Sequence, residues 1–364
     1  MLYKTNTKQF RFNLFSKVVV VTLALLSFAE ILLHLDDVRN HLPEPRPYYS
    51  DNVEKRLRAL NNTIAEKGKI DLLFIGSSIV RTNFKPLFFD KKIYEKTGIP
   101  VVSFNGGLSD LSPDRVRLYF ENFFLKHASP RIVLQGIRYP ELKSSSEAED
   151  YKRFRKGCIE RAWFNQSLFG KLKVFAIENI QLLYYKGMLT AALQRFYSFN
   201  QSIIKIDTRG YNMQDGSNLS DAKRKSLVDA VESPYSDIIY VKNYHKGFSH
   251  LKRTIDICKK QGIDYVLVNV PEHGDKFLNA EGGKRLYDLY ISELKKFANQ
   301  ESILLIDTTN SNPDSYRNDR DYSDYHHMSV AGAERFTKEL ASVISVYLLE
   351  NGVVAKDFRR SCKS

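Results

Sequence analysis

The hydrophobic positions of the chain form two patterns that alternate from residue 71 onward. Short, continuous apolar runs are typical of strands buried on both faces of a parallel sheet, and longer segments with apolar residues every three or four positions are typical of amphipathic helices. The sequence thus predicts an α/β fold, a three-layer sandwich with a mainly parallel five-stranded sheet. The predicted strands are 71–76, 101–105, 131–137, 264–270 and 302–307, and the predicted helices are 85–97, 113–128, 246–261, 281–299 and 329–350.

The most hydrophobic stretch, Ser16–Leu35, lies near the N-terminus and is about long enough to span a membrane. Basic residues precede it and acidic residues follow it, which is typical of a signal peptide or a signal anchor. Small residues at positions 27 and 29 resemble a cleavage site, but the apolar run continues beyond them and favours an uncleaved anchor. The positive-inside rule then puts the body of the protein outside the cytoplasm. A buried core helix is the remaining alternative.

The two patterns also divide the chain into regions. A proline-rich stretch after the apolar segment is a stiff spacer, and a short polar helix follows it. The regular alternation of strands and helices is interrupted once, by a segment with helical patches and no convincing strand. The predicted regions are a transmembrane helix at 1–36, a linker with a short helix at 37–70, the α/β domain at 71–140 and 246–350, a helical insertion or cap at 141–245, and a polar tail at 351–364.

Composition narrows the classes of partner. The chain has 364 residues, 43% of them hydrophobic, which is typical of a globular protein, and a net charge of +13. Such a charge suits a lipid surface, an acidic polymer or nucleic acid, or is simply a solvated basic surface. The lysines and arginines are scattered, and the sequence has no zinc-finger spacing or RNP-like motif, so we expect no nucleic-acid partner.

The cysteines and the short motifs give no sign of a cofactor. Cys158, Cys258 and Cys362 are odd in number, far apart and without C-x-x-C spacing, so neither a disulfide framework nor a thiolate metal site is indicated. The sequence contains no P-loop and no dinucleotide fingerprint. We therefore predict no cofactor.

The first candidate for chemistry is Gly76-Ser77-Ser78, at the end of the first predicted strand. In parallel sheets ligands bind beyond the carboxyl ends of the strands. A sharp turn at this position can present a serine hydroxyl as a nucleophile. It can equally be a serine N-cap for the next segment, which satisfies backbone N–H groups.

Two further segments follow the second and third predicted strands. Asn105–Asp110 contains Gly106 and Gly107, whose backbone N–H groups are candidates to bind a developing oxyanion. A plain strand-to-helix turn is the alternative for these glycines. Gly136–Glu141, with the sequence GIRYPE, ends the third strand at the same edge of the sheet.

The candidate partner of the serine turn lies far downstream, in the stretch DYSDYHHM. Asp324 and His327 are three positions apart, just before a predicted helix. A short turn at that spacing lets the carboxylate orient one ring nitrogen while the other faces a serine, as nucleophilic serine catalysis requires. Asp321 and His326 leave the choice of pair open. The histidines can alternatively be caps of the helix.

Taken together, these residues resemble the SGNH (GDSL-type) hydrolase superfamily. The resemblance rests on IGSS after the first strand, NGG after the second and a late D-x-x-H. It implies that Ser78 is the nucleophile, His327 the general base and Asp324 its orienting partner. The serine at position 77, the N-terminal anchor and the insertion are more similar to an exported branch. That branch includes the teichoic-acid D-alanylation protein and periplasmic polysaccharide O-acetylation proteins.

The sequence departs from the pattern of that superfamily in two places. The third block usually contains Gly-x-Asn, whose side chain completes the oxyanion hole, and here no such asparagine is present. Gln135, Arg138 or a backbone N–H is left to substitute for it. The glycine of the second block matches either Gly106 or Gly107. The predicted oxyanion hole is therefore the N–H groups of Ser78, Gly107 and Gly106.

Other polar residues are candidates for binding. We predict substrate contacts for Arg138 and His273 near the same rim of the sheet, and for Arg209 from the insertion. Carboxylate and imidazole groups also suit zinc or manganese, although we expect no metal. The residues of that alternative metal site are Asp321, Asp324, His326 and His327.

The resemblance implies a membrane-anchored, extracytoplasmic serine O-acyltransferase or esterase. Its acceptor would be an envelope polysaccharide or a teichoic-acid-like polymer, and its partner a membrane protein that supplies the acyl group. Two alternatives stay open. One is a non-catalytic scaffold or polymer-binding module with the same fold, and the other is a simple secreted esterase or lipase.

Overall fold

The chain is described by a computed structural model, which covers residues 6–35, 38, 53–108, 111–142, 207–211, 244–271, 283–308, 321–324 and 326–351. The chain divides into two compact units. One unit comprises Met1–Tyr49 and Tyr151–Ser202, and the other comprises Ser50–Asp150 and Ile203–Ser364.

The described part of the first unit is a single long helix, α1 (Asn6–His34). Its segment Ser16–His34 is 19 residues long and apolar enough to cross a membrane. At 1.5 Å per residue this segment rises about 28 Å, close to the hydrocarbon thickness of a bilayer, about 30 Å. Its valines and leucines are largely exposed, which disfavours the buried core helix and agrees with an anchor. The side of the membrane on which the second unit lies stays a prediction.

The second unit contains a five-stranded sheet in the order β2-β1-β3-β4-β5. Every pairing between neighbours is parallel. The predicted α/β fold with a mainly parallel five-stranded sheet is therefore confirmed. The strands are β1 (Leu72–Ile75), β2 (Ser103–Asn105), β3 (Ile132–Ile137), β4 (Asp264–Asn269) and β5 (Leu304–Asp307).

Helices connect these strands at the positions that the apolar periodicity predicts. A π-helical turn, Phe120–Phe124, interrupts the predicted helix 113–128 and divides it into two helices. The helices of the second unit are α2 (Val53–Lys67), α3 (Ser78–Asn83), α4 (Pro86–Thr97), α5 (Pro113–Tyr119), α6 (Leu125–His127), α7 (Tyr244–Lys260), α8 (Gly283–Glu301) and α9 (Val330–Glu350).

The sheet is covered on both faces, which makes the three layers. Alternate residues of β1, β3 and β4 join one buried cluster with the apolar sides of α3, α4 and α9. The intervening residues Leu73, Val133 and Leu267 point to the other face and are also fully buried, on the side where α7 and α8 contact β4 and β5. Burial on both faces explains why the strands are continuous apolar runs.

Two glycines allow α3 to pack across the ends of β1 and β3. A Cβ atom on Gly76 would lie 2.3 Å from Val80 Cγ2, and one on Gly136 would lie 2.5 Å from the same atom. Gly76 also has a φ of +150°, a conformation that residues with a side chain rarely adopt. Only glycine therefore fits at these two positions, between the strand ends and the helix.

The structure differs from the predicted elements in one important place. Helix α3 is absent from the predicted elements, because six residues are too few for a recognisable helical period. The predicted insertion at 141–245 lies outside the described residues, except for 141–142, 207–211 and 244–245, and so stays a prediction. The same holds for the polar tail beyond residue 351.

We expect Gly136→Ala to destabilise the second unit by about 1–3 kcal/mol, the usual cost of an overpacked core. The added methyl group would overlap Val80 and approach the ring of Phe84 to 3.1 Å. The free energy of unfolding, measured by urea denaturation in detergent, checks this. Lys296→Ala, at an exposed position of α8, is the control and should change it by less than about 0.5 kcal/mol. An equal, small change for both variants would contradict the packing role of Gly136.

Candidate active site

The site lies at the carboxyl ends of β1 and β3, where the strand order changes direction. Chain connections run from β1 outward to β2 and then back across to β3, so this is the topological switch point at which parallel α/β sheets bind ligands. The chain leaves β1 through Gly76 and Ser77, and Ser78 is the first residue of α3. The predicted nucleophile therefore lies at the start of a helix above the switch point.

The structure brings Ser78, His327 and Asp324 into one hydrogen-bonded chain. Ser78 Oγ is 2.9 Å from His327 Nε2, and His327 Nδ1 is 2.7 Å from Asp324 Oδ2. With the Nδ1 proton held by the carboxylate, the Nε2 lone pair faces the serine hydroxyl and can accept its proton. This is the arrangement of a serine nucleophile, a general base and an orienting acid.

A compact turn supports the histidine. Asp324 Oδ1 accepts hydrogen bonds from the backbone N–H groups of His326 and His327, at 2.9 and 2.7 Å. The N–H of Ser323 donates to the carbonyl oxygen of His327 at 2.8 Å. One carboxylate thus shapes the turn with one oxygen and orients the imidazole with the other.

The pKa of Asp324 reflects these contacts. Burial alone would raise it, but the hydrogen bond and the charge of His327, together with the backbone N–H of His326, outweigh burial and hold the pKa well below its usual range. The carboxylate therefore stays ionised at neutral pH, as the orienting partner of a general base must.

Asp321 and His326, the alternatives for the orienting acid and the general base, have other surroundings in the structure. Asp321 is buried and accepts a hydrogen bond of 2.8 Å from Arg335 Nη1, so it pairs with α9 instead of a histidine. The ring of His326 lies against that of His327, with the centroids 3.8 Å apart. Burial and the charge of Arg138 lower the pKa of His326 to about 2, which keeps this second imidazole neutral.

Asn83, at the end of α3, fixes the distance between the serine helix and the histidine turn. Its Oδ1 accepts a hydrogen bond from the backbone N–H of Met328 at 3.0 Å. Its carbonyl oxygen accepts one from Thr337 Oγ1 of α9 at 3.2 Å. Asn83 is fully buried. This role cannot be predicted from the sequence, because nothing in the neighbourhood of Asn83 along the chain indicates a partner 245 positions away.

The structure gives the two candidate glycines of the oxyanion hole a different role. The Gly106 N–H donates to the carbonyl oxygen of Phe74 at 2.8 Å, and the Gly107 N–H donates to Asn105 Oδ1 at 2.9 Å. A Cβ on Gly107 would lie 2.4 Å from the backbone nitrogen of Arg81. The glycines therefore serve close packing, and both of their N–H groups are already used within the fold.

Ser78 is the predicted oxyanion donor that keeps its N–H available. Among the described residues, no acceptor takes a hydrogen bond from the backbone N–H of Ser78. Gln135, one of the substitutes considered for the missing asparagine, accepts a hydrogen bond of 2.9 Å from the hydroxyl of Tyr265 and is buried. One preorganised donor is thus in place beside the nucleophile.

The three predicted substrate contacts lie in different surroundings. Arg138 is near the triad, and its Nε donates to Glu141 Oε1 at 3.3 Å. Arg209 instead lies beside β2, where its Nη1 is 2.9 Å from the carbonyl oxygen of Ser103 and 3.3 Å from Asp90 Oδ2. The guanidinium of Arg209 thus contacts the edge strand β2 and Asp90, and it does not point toward the triad. His273 lies outside the described residues.

The cluster that suggested a metal site is part of the triad. Candidate ligand atoms of Asp324, His326 and His327 lie within 4.8 Å of one another, while Asp321 is occupied by Arg335. Both oxygens of Asp324 already accept hydrogen bonds from the two histidines. These bonds account for the cluster without a cation.

A protein-family model matches residues 233–349, and no curated protein matches the sequence. Several solved structures are similar in fold. One is an acetyl xylan esterase, at 12% identity over 76% of this chain and 100% of that chain, with a TM-score of 0.39. Another is a GDSL-like lipase from Bacteroides thetaiotaomicron, at 11% identity over 82% of this chain and 97% of that chain, with a TM-score of 0.35.

A third similar structure is a lipase from a goat rumen metagenome, at 13% identity over 75% of this chain and 97% of that chain, with a TM-score of 0.37. The resemblance to the SGNH (GDSL-type) hydrolase superfamily rests on the residues and motifs of the sequence itself. The resemblance to its membrane-anchored branch stays a prediction.

Asp324 makes acid stability a test of the site. Because its pKa is lower in the folded state, the unfolded chain binds more protons around pH 4, and the stabilisation from this group is present above that pH and lost as the pH falls. We expect wild type to be more stable than Asp324→Asn at pH 5 and the difference to shrink toward pH 3.

Urea denaturation of the detergent-solubilised chain at pH 5, 4 and 3 measures this difference. Asp288→Asn, at an exposed position of α8, is the control, for which we expect a small, constant difference. A difference for Asp324→Asn that stays constant or grows toward pH 3 would show that the carboxylate is not held ionised by its partners.

Proposed function

We propose that the protein is a membrane-anchored, extracytoplasmic serine acyltransferase or esterase. It would act on O-acyl groups of an envelope polysaccharide or a teichoic-acid-like polymer. The observation that carries the proposal is the hydrogen-bonded chain from Ser78 Oγ through His327 to Asp324, at the switch point of a parallel sheet. Helix α1 supports the anchor.

In the first half of the reaction, Ser78 Oγ attacks the acyl carbonyl carbon of the donor and gives its proton to His327 Nε2. Asp324 stabilises the imidazolium that forms and keeps the ring oriented. The Ser78 N–H donates to the oxyanion of the tetrahedral intermediate. His327 then protonates the departing oxygen of the donor, and the acyl group remains on Ser78 as an ester.

In the second half, a hydroxyl group of the acceptor or a water molecule attacks the acyl-enzyme. His327 removes the proton of the attacking oxygen and returns a proton to Ser78 as the bond to the acyl group breaks. The side chains are the same for both acceptors. Transfer to a polymer is supported by the anchor and by the resemblance to envelope-modifying proteins, and an anionic acceptor suits the net charge of +13.

One observation favours a different class of function. The N–H groups of Gly106 and Gly107 are used within the fold, and the third block has no asparagine, so the described oxyanion hole has a single donor. A non-catalytic scaffold or polymer-binding module would not need a complete oxyanion hole. Against this, a scaffold does not need a serine hydroxyl 2.9 Å from an imidazole that is itself oriented by a carboxylate.

We expect a fluorophosphonate probe to label the detergent-solubilised chain at neutral pH, since the probe reacts with an activated serine. Ser78→Ala should abolish the labelling. Asp324→Asn should slow it by about 10³- to 10⁴-fold, because the imidazole loses its required tautomer. Ser342→Ala, at a partly exposed serine of α9, is the matched control and should label as wild type does. The measurement is the second-order rate constant of labelling.

Absence of labelling in the folded wild-type protein would favour the scaffold, and unchanged labelling of Ser78→Ala would exclude Ser78 as the nucleophile. Circular dichroism and the melting temperature of each variant establish that it is folded.

Transfer and hydrolysis are separated by an acceptor. We expect p-nitrophenyl acetate to release p-nitrophenol and to leave part of its acetyl group on an added acidic oligosaccharide, because an acceptor held near Ser78 competes with water for the acyl-enzyme. Mass spectrometry of the oligosaccharide measures this part. If the acetyl group is recovered only as acetate, with each of several acceptors and at every acceptor concentration, the protein is a simple esterase. Ser78→Ala controls for uncatalysed acetylation.

A further inference from the structure

A carboxylate that has no part in the proposed reaction, that of Glu141, is hydrogen-bonded to the residue before the proposed nucleophile. The hydroxyl of Ser77 donates a hydrogen bond to Glu141 Oε1. The same oxygen accepts a hydrogen bond of 3.3 Å from Arg138 Nε. The side chain of Glu141 is only 11% exposed. A residue neighbouring Ser78 is thus connected to an ion pair that is largely, though not fully, buried.

Ser77 is also the N-cap of α3, the helix that begins with Ser78. Its Oγ accepts from the backbone N–H of Ile79 at 3.4 Å, and its carbonyl oxygen accepts from the N–H groups of Val80 and Arg81. A hydroxyl group has one proton and two acceptor positions. Because Glu141 takes the proton, the lone pairs of Ser77 remain for the N–H groups of the helix, and the rotation of the side chain is fixed.

Glu141 itself is held by the end of β3. It lies in a short 3₁₀ helix, Tyr139–Leu142, whose first and last residues are buried. Its backbone N–H donates to the carbonyl oxygen of Arg138 at 3.1 Å. The bond between Ser77 and Glu141 therefore joins the carboxyl ends of β1 and β3, the two strands on either side of the switch point.

This bond completes the support of α3 at both ends. At its C-terminal end, Asn83 is bonded to Met328 beside the histidine turn. At its N-terminal end, Ser77 is bonded to Glu141. Ser78 lies between the two, and small rotations of the helix would change both the direction of its Oγ toward His327 and the direction of its free N–H.

We propose that Glu141 is a positioning residue for the nucleophile. Through the hydroxyl of Ser77, it fixes the orientation of the turn that carries Ser78 Oγ and the Ser78 N–H. This inference rests on the proposed function. Its influence on the reaction passes through its hydrogen bond with Ser77.

The test is a double-mutant cycle on the rate of fluorophosphonate labelling of the full chain in detergent. We expect Glu141→Ala to slow labelling by about 10- to 100-fold, the range for a hydrogen bond to a charged group. Glu141→Gln, which keeps an acceptor of the same shape, should retain more of the rate. In the Ser77→Ala background the two substitutions should have little further effect, because the group through which they act is gone.

Glu95→Ala is the control, since Glu95 lies on the surface of α4 and pairs with Lys92. It should leave the rate unchanged. With p-nitrophenyl acetate, Glu141→Gln should lower kcat and leave KM nearly unchanged, as expected for a group that orients the nucleophile and does not bind the substrate. Melting temperatures establish that the variants are folded. If Glu141→Ala does not fold, Glu141→Gln takes its place in the double-mutant cycle.

Two results would overturn the inference. One is a wild-type rate in folded Glu141→Gln and Glu141→Ala. The other is an effect of Glu141 that is as large in the Ser77→Ala background as in the wild type, which would mean that Glu141 acts through another contact. Both leave the proposed function intact, whereas it fails if Ser78→Ala labels as wild type does.

Discussion

The hydrogen bond between Ser78 Oγ and His327 Nε2 joins residues that are 249 positions apart in the sequence. Its length of 2.9 Å depends on two elements that the rest of the unit must hold in register, the short helix α3 and the turn before α9. Neither element is large enough to fix itself. The sheet, the helix α9 and a few buried polar contacts provide that precision, because a nucleophile and its base tolerate little displacement.

Packing and polar contacts share this task. Gly76 and Gly136 let α3 lie directly across the strand ends, so that Val80 fits where a Cβ atom would collide. Asn83 and Ser77 then attach the ends of the helix to the histidine turn and to the end of β3. Apolar packing sets how closely the helix approaches the sheet, and directional hydrogen bonds set its rotation.

Much of the fold can be predicted from the sequence, because strands buried on both faces are continuous apolar runs and the longer helices have clear periods. The meeting of Ser78, Asp324 and His327 can be predicted as well, since these residue types occur in a recognisable order along the chain; their catalytic roles stay a prediction. Helix α3 cannot be predicted, because its six residues contain too few turns for a period. Its boundaries depend on the sheet beneath it.

The roles that the sequence does not reveal all depend on partners distant along the chain. Gly106 and Gly107 look like oxyanion donors until the carbonyl of Phe74 and the side chain of Asn105 take their N–H groups. Arg209 looks available for substrate until Asp90, 119 positions away, pairs with it. A motif predicts which residue types meet. It does not predict which of their hydrogen-bonding groups remain free.

The most direct test of the central claim is the location of the acyl group during turnover. The full chain would be incubated with p-nitrophenyl acetate, quenched in acid within the first turnover, digested and analysed by tandem mass spectrometry. The account predicts an added acetyl group on Ser78 and none on Ser77, since only Ser78 Oγ faces His327. An acetyl group on a different residue during turnover would contradict it. So would turnover that forms no acyl-enzyme and continues in the Ser78→Ala and His327→Ala variants.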